Sequence, residues 1–241
     1  MTAASNSLRL TDLTPAEVED YLDRDRRLIV PVGACDQYGP HLPIGTASML
    51  ASAFAERLSH DFAVLHAPPI AYGVNVPADR LFHGSATLRE KTLHALLNDI
   101  LASWEDEGFA EFILLTVHDY DSHVEAVATV TLARSRIRVI ELINMDLSTL
   151  LEGEGGPQHG GETLTSLMLH LYPERVQMER AVDFIPRDKV VSTLRRLPRI
   201  PLASPGSLGQ PTLASAEKGR RLYEHIYEKI RTRVFVDVVE E

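Results

Sequence analysis

A single cysteine occurs among the 241 residues, which excludes an intrachain disulfide and any cysteine-rich zinc site. Aromatic residues are sparse, at 6% with one tryptophan. No apolar run approaches the ~20 residues of a membrane span, and the opening MTAASNSLRL has no apolar signal-peptide core. Positive charge is in deficit: 24 Lys plus Arg against 34 Asp plus Glu leave a net charge of −10. Such a chain is poorly suited to displacing counterions from nucleic acid or to holding an anionic membrane surface. The expectation is a cytoplasmic protein with neither nucleic acid nor membrane as partner. Hydrophobic residues at 44% and charged residues at 24% match a globular chain and exclude a mostly disordered one. At about 150 residues per domain, and without a linker, repeat or low-complexity tract, the chain reads as one domain over 1–241. Residues 1–12 are expected to be flexible.

The pattern alternates short apolar runs with amphipathic stretches. Thr14-Pro15-Ala16-Glu17 reads as a capping box with proline at the first helical position. Leu28–Val32, Phe62–His66, Glu111–Thr116 and Ile137–Ile143 read as strands. Helical spacing follows at Ala47–Leu58, after the capping box predicted at Thr87–Glu90, from the 118–121 loop to about Arg134, at Thr163–Tyr172 and at Ser215–Thr232. Strands separated by crossover-length helices predict a parallel sheet covered on both faces. Ile185–Pro211 lacks period and is expected to wrap the surface, where it suits contact with a neighbouring subunit.

In open parallel sheets, ligands bind beyond the carboxyl ends of the strands. Two loops there carry unusual chemistry, Gly33–Thr46 and Thr116–His123. A third cluster, Gln158-His159-Gly160-Gly161-Glu162, precedes a helix. The three are expected to meet, with imidazoles and carboxylates able to bind a metal or to move protons. Cys35 reads as a small buried hydrophobe, with a nucleophile as the alternative if His118 or His159 lies within reach, and His83 as a surface residue or a pocket wall.

Four ordered blocks, VPVGACDQYGPHLPIGT at 30–46, Leu114–Asp121, HGGETLTSLMLHLY at 159–172 and GSLGQPTLASAEKG at 206–219, resemble those of the creatininase (creatinine amidohydrolase) family. The resemblance covers nearly the whole chain. It implies a three-layer α/β/α fold around a mainly parallel central sheet. It also implies a homo-oligomer, with hexamers common in the family, and a dinuclear metal site. The ligand positions of that site are largely replaced. Asp36 stands for a glutamate, Tyr38 for a histidine and Ala47 for the bridging aspartate. His118 is kept, and the last glutamate falls on Tyr120 or Leu164. No metal and no other cofactor is therefore expected. The resemblance implies an amidohydrolase-like or cyclase-like enzyme acting on a small cyclic amide or amidine, by hydrolysis or by ring closure. Asp36, His118 and His159 are its expected acid–base groups. Tyr38, His41, Tyr120, Asp121 and Glu162 are expected to line its substrate pocket. A metal-free pseudoenzyme or binding subunit is the first alternative, and a rewired metal site using Asp119 or Asp121 is the second.

Overall fold

The computed structural model describes residues 8–77, 82–153, 158–185 and 204–236. Four strands are central: β1 (Arg27–Val32), β2 (Leu65–His66), β3 (Glu111–Thr116) and β4 (Arg136–Glu141). They pair in parallel in the order β2-β1-β3-β4. Six α-helices surround them among the described residues: α1 (Pro15–Leu22), α2 (Thr46–Phe62), α3 (Glu90–Glu107), α4 (Asp121–Ala128), α5 (Glu162–Leu171) and α6 (Ala216–Ile230). This is the expected α/β architecture. The apolar residues divide into two cores, one on each sheet face. Ile29, Ile113 and Leu115 face α2, α5 and α6, whereas Leu28, Val30, Phe112 and Leu114 face α1, α3 and α4. That alternation is the two-residue period of a strand buried on both sides.

The strand order sets the position of the crevice. Beyond β1 the chain crosses to β2 on one side, while β3 lies on the other. The connections therefore diverge at the carboxyl ends of β1 and β3, the switch point where doubly wound sheets open a crevice. The loops 33–45 and 117–120 leave the sheet there.

Three local expectations are corrected. The segment before Asp12 is tied down from Leu8 onward: His66 N–H donates to Leu8 O at 2.9 Å, and Arg9 pairs with Glu56. α4 ends at Ala128, not near Arg134. The following residues are pinned to α3 instead, because Thr131 N–H donates to the Asn98 side chain and the Arg134 and Ser135 N–H groups donate to Glu105. The predicted Thr87–Glu90 box does not form. The N-cap of α3 is Arg89, without a side-chain cap, and Thr87 Oγ1 receives Asn75 N–H. The Thr14–Glu17 box forms in both directions. Most of the Ile185–Pro211 segment lies outside the described residues.

Candidate functional site

The loop leaving β1 is held by its own polar groups. Asp36 N–H donates to Ile44 O at 3.1 Å and closes the loop on itself. Gln37 N–H donates to Asp36 Oδ1 at 2.9 Å and to Ser85 Oγ at 3.0 Å. The Gln37 side chain reaches across to Gly206 O and accepts from Gly39 N–H, both at 2.9 Å. Gly39 has φ of +85°, a turn that suits glycine. These bonds turn the Tyr38 side chain inward, where it is 2% exposed in the same core as Ala47 and Leu164.

Tyr38 joins the second and third loops. Its hydroxyl donates to His118 Nδ1 at 3.0 Å, and its ring stacks on His159 with centroids 4.8 Å apart and planes 23° apart. His118 Nε2–H donates to Val74 O at 2.9 Å, which makes Nδ1 the acceptor. Both ring nitrogens are then used. Burial, with smaller contributions from His123 and His159, holds the His118 imidazole well below its ordinary pKa and so neutral.

Behind His118 lies His123, which the sequence reading did not single out although it closes the second loop. Val74 N–H donates to His123 Nδ1 at 3.2 Å, and Nε2–H faces Thr116 Oγ1 at 3.1 Å. Burial lowers its pKa to about 4. Val74 thus binds two imidazoles through its backbone, His123 by its N–H and His118 by its carbonyl.

His159 sits in the turn before α5. Its backbone pairs with Leu208 in both directions at 3.0 and 2.7 Å, and its Nε2–H donates to Gln37 O at 2.6 Å. The ring is half-buried, unlike that of His118. Gly160 follows with φ of +60°, and a Cβ there would lie 2.0 Å from Tyr38 O. The loop must carry glycine at this position to approach Tyr38. His41 Nε2–H donates to Thr165 Oγ1 at 2.8 Å, whose own hydroxyl donates to Gly160 O at 3.2 Å. His41 thereby ties the first loop to α5, and burial lowers its pKa to about 4.

The remaining residues singled out from sequence go elsewhere. Glu162 is fully buried and bound to Lys218, which also donates to Leu213 O at 2.6 Å. Its carboxylate further accepts the N–H groups of Glu152 and Gly153 at 3.0 and 2.8 Å. Those bonds occupy it in joining α5 to α6 and to the preceding loop. Tyr120 packs into the α3/α4 core, not the core that holds Tyr38. Asp121 is exposed on the first turn of α4, where it favours the helix dipole. Cys35 is partly exposed with Sγ 3.5 Å from Gly84 O, and His83 is exposed.

This donor set does not fit a dinuclear metal centre. A ligand imidazole needs a free lone pair, and the one on His118 already receives the Tyr38 proton. Ala47 and Leu164 offer carbon in the surrounding core. Among the described residues, no three His, Cys, Asp or Glu side chains are grouped to hold a metal ion. Nor, among them, is any helix long and apolar enough to cross a membrane.

A family model described as creatinine amidohydrolase matches residues 11–234. The chain belongs to the creatininase family. It is 30% identical over 223 residues to the mycofactocin precursor peptide peptidase of Mycobacterium tuberculosis, covering 86% of this chain and 84% of that protein. It is 28% identical to the creatinine amidohydrolase of Pseudomonas putida, over 91% and 93% of the two chains. The structure of a creatininase mutant complexed with creatine superimposes with a TM-score of 0.78 at 26% identity, covering 94% of this chain and 96% of that one. The three-layer α/β/α fold around a parallel sheet is thus the creatininase fold, and the named relatives are hydrolases.

Proposed function

We propose that this creatininase-family chain is a hydrolase of a small molecule with a cyclic amide or amidine C–N bond, working by acid–base catalysis without a metal ion. The observation that carries the reading is the Tyr38–His118 bond, which places a phenol proton on the only lone pair His118 has to offer. Chemistry then falls to the imidazole that is half-buried instead of sealed. His159 is fixed through Nε2–H on Gln37 O, which leaves Nδ1 as the basic nitrogen. In this reading Nδ1 removes a proton from a water as its oxygen bonds to the amide or amidine carbon. The same proton passes to the ring nitrogen as the C–N bond breaks, so nothing besides water is consumed. Run backward, the steps close a ring and release water. Asp36 and His118 are positioning residues here, holding the Gln37 and Tyr38 backbone and ring against which His159 is set. The hydrolase names of the relatives support the bond type, and the divergent pocket leaves the substrate to the side chains around Tyr38.

The test is a screen of cyclic amides and amidines, creatinine among them, with protein purified without added metal. Turnover that persists in excess chelator and falls about 10²–10⁴-fold in His159→Ala supports the reading. Turnover abolished by chelator and restored by a divalent ion overturns it. The burial of Asp36 and His118, at 0% and 3% exposure, favours a second reading, a metal-free binding subunit. That reading predicts saturable ligand binding without turnover.

A further inference from the structure

On the α3 side of the sheet, the 68–72 segment and one face of α3 enclose an open cavity of about 710 Å³. That size falls within the range of about 300–1,000 Å³ for small-molecule sites. Its walls are largely apolar, and Leu96, Asp99, Ile100 and Ser103 recur along α3 at the three- and four-residue spacing of one helix face. The chain's only tryptophan, Trp104, lines it together with Tyr72. Trp104 is braced from behind by Phe112, ring to ring at 6.5 Å with planes 23° apart. Tyr72 and Leu96 are large apolar side chains left 56% and 37% exposed at this cavity. Among the described residues, the one charged side chain in the lining is a carboxylate, Asp99, and no lysine or arginine joins it.

We propose that this cavity binds an organic cation with an apolar body, such as an aromatic or alkyl ammonium ion. The negative faces of the tyrosine and tryptophan rings attract a cation. Asp99 supplies the complementary charge, and among the described lining residues an anionic ligand would meet that carboxylate with no cation to offset it. Apolar walls on the remaining sides select a hydrocarbon body over a hydrated inorganic ion. This proposal does not depend on the proposed hydrolysis.

Because the chain has one tryptophan, its emission reports on this cavity alone. The full chain is titrated with phenyltrimethylammonium, with its neutral carbon isostere tert-butylbenzene, and with benzenesulfonate. The expected result is saturable change with the cation and binding at least about fivefold weaker for the other two, equivalent to about 1 kcal/mol. Asp99→Asn should remove most of that preference, and Tyr72→Ala should weaken cation binding. Both positions are exposed, so the fold should persist, which circular dichroism checks. Equal affinity for all three probes, unchanged selectivity in Asp99→Asn, or no saturation at tens of millimolar overturns the proposal. Trp104 emission that changes with protein concentration alone also overturns it, since a second copy then covers the cavity.

Discussion

The Tyr38 hydroxyl donates to Nδ1 of His118 across 3.0 Å, and the other nitrogen of the same ring donates to Val74 O at 2.9 Å. An imidazole bound at both ends is oriented, neutral and unavailable as a ligand. Removing the hydroxyl leaves a buried acceptor without its donor, a loss of about 1–3 kcal/mol. Tyr38→Phe is therefore expected to lower the unfolding free energy by that amount, read as a lower urea midpoint at an unchanged m-value. A midpoint equal to that of the unmodified chain would show that the bond contributes nothing net.

Lys218 and Glu162 form a second buried link, with the carboxylate fully enclosed and the lysine 6% exposed. Breaking such a pair strands a charge, which typically costs about 3–5 kcal/mol. Lys218→Met is expected to lose stability on that scale, and adding Glu162→Gln should recover much of it, because the uncompensated charge is then gone. Equilibrium unfolding of the two variants checks this. A double variant less stable than the single one would mean that the backbone bonds from Glu152 and Gly153, not the charge pair, dominate.

Much of the fold was legible in the sequence, because each strand face buries a regular set of apolar residues. Glu111–Thr116 has the predicted bounds, and β1 begins one residue earlier than predicted. The carboxyl-edge loops were legible for the same reason, since strand ends and crossover lengths fix where they emerge. Partner choice across long separations was not. Glu162 sits in the polar cluster with His159, yet its partner Lys218 is 56 residues away on the far side of a helix pair. Tyr120 is adjacent in sequence to the second loop, but the turn into α4 sends it to the opposite core. The early end of α4 came from the Asn98 and Glu105 side chains on α3, which no local propensity could reveal.

His41 and His123 give the stability a pH dependence of known sign. Both are buried, and both have folded-state pKa values of about 4, below the ~6.5 of an unfolded histidine. Between those values the unfolded chain binds more protons, so stability falls as pH falls. The loss begins near pH 6.5 and saturates below about pH 4, at up to about 3 kcal/mol for each residue. Above pH 6.5 neither contributes a slope. Urea unfolding at pH 8, 7, 6 and 5 should show a plateau and then a decline, and a flat profile to pH 5 would contradict the burial assigned to the two rings.

Gly160 combines a left-handed backbone with contact against Tyr38 O, where an added Cβ would lie at 2.0 Å. Backbone cannot yield as a flexible side-chain tip can. Gly160→Ala is expected to cost about 2–4 kcal/mol and to displace His159 from Tyr38. Ala128→Gly, at an exposed helix end, serves as a control and should cost no more than about 1 kcal/mol. If both changes cost the same, the close approach of the two loops is not a constraint.

The replaced ligand positions can be examined by putting ligands back. Ala47 is fully buried in the same core as Tyr38, beside the loop that carries Asp36. Tyr38→His with Ala47→Asp supplies an imidazole and a carboxylate near Asp36 and removes the phenol that caps His118. Without metal, that double variant buries an uncompensated carboxylate and should be several kcal/mol less stable than the unmodified chain. With zinc, ligation should recover stability by mass action, about 2.7 kcal/mol at a free concentration one hundred times Kd. Thermal unfolding with and without zinc, together with metal content after gel filtration, reads both effects. The unmodified chain is expected to show neither a zinc-dependent shift nor retained metal, because the His118 lone pair already receives the Tyr38 proton and Ala47 supplies no carboxylate. Stoichiometric zinc retained by the unmodified chain would sink this account of Tyr38, and with it the metal-free mechanism.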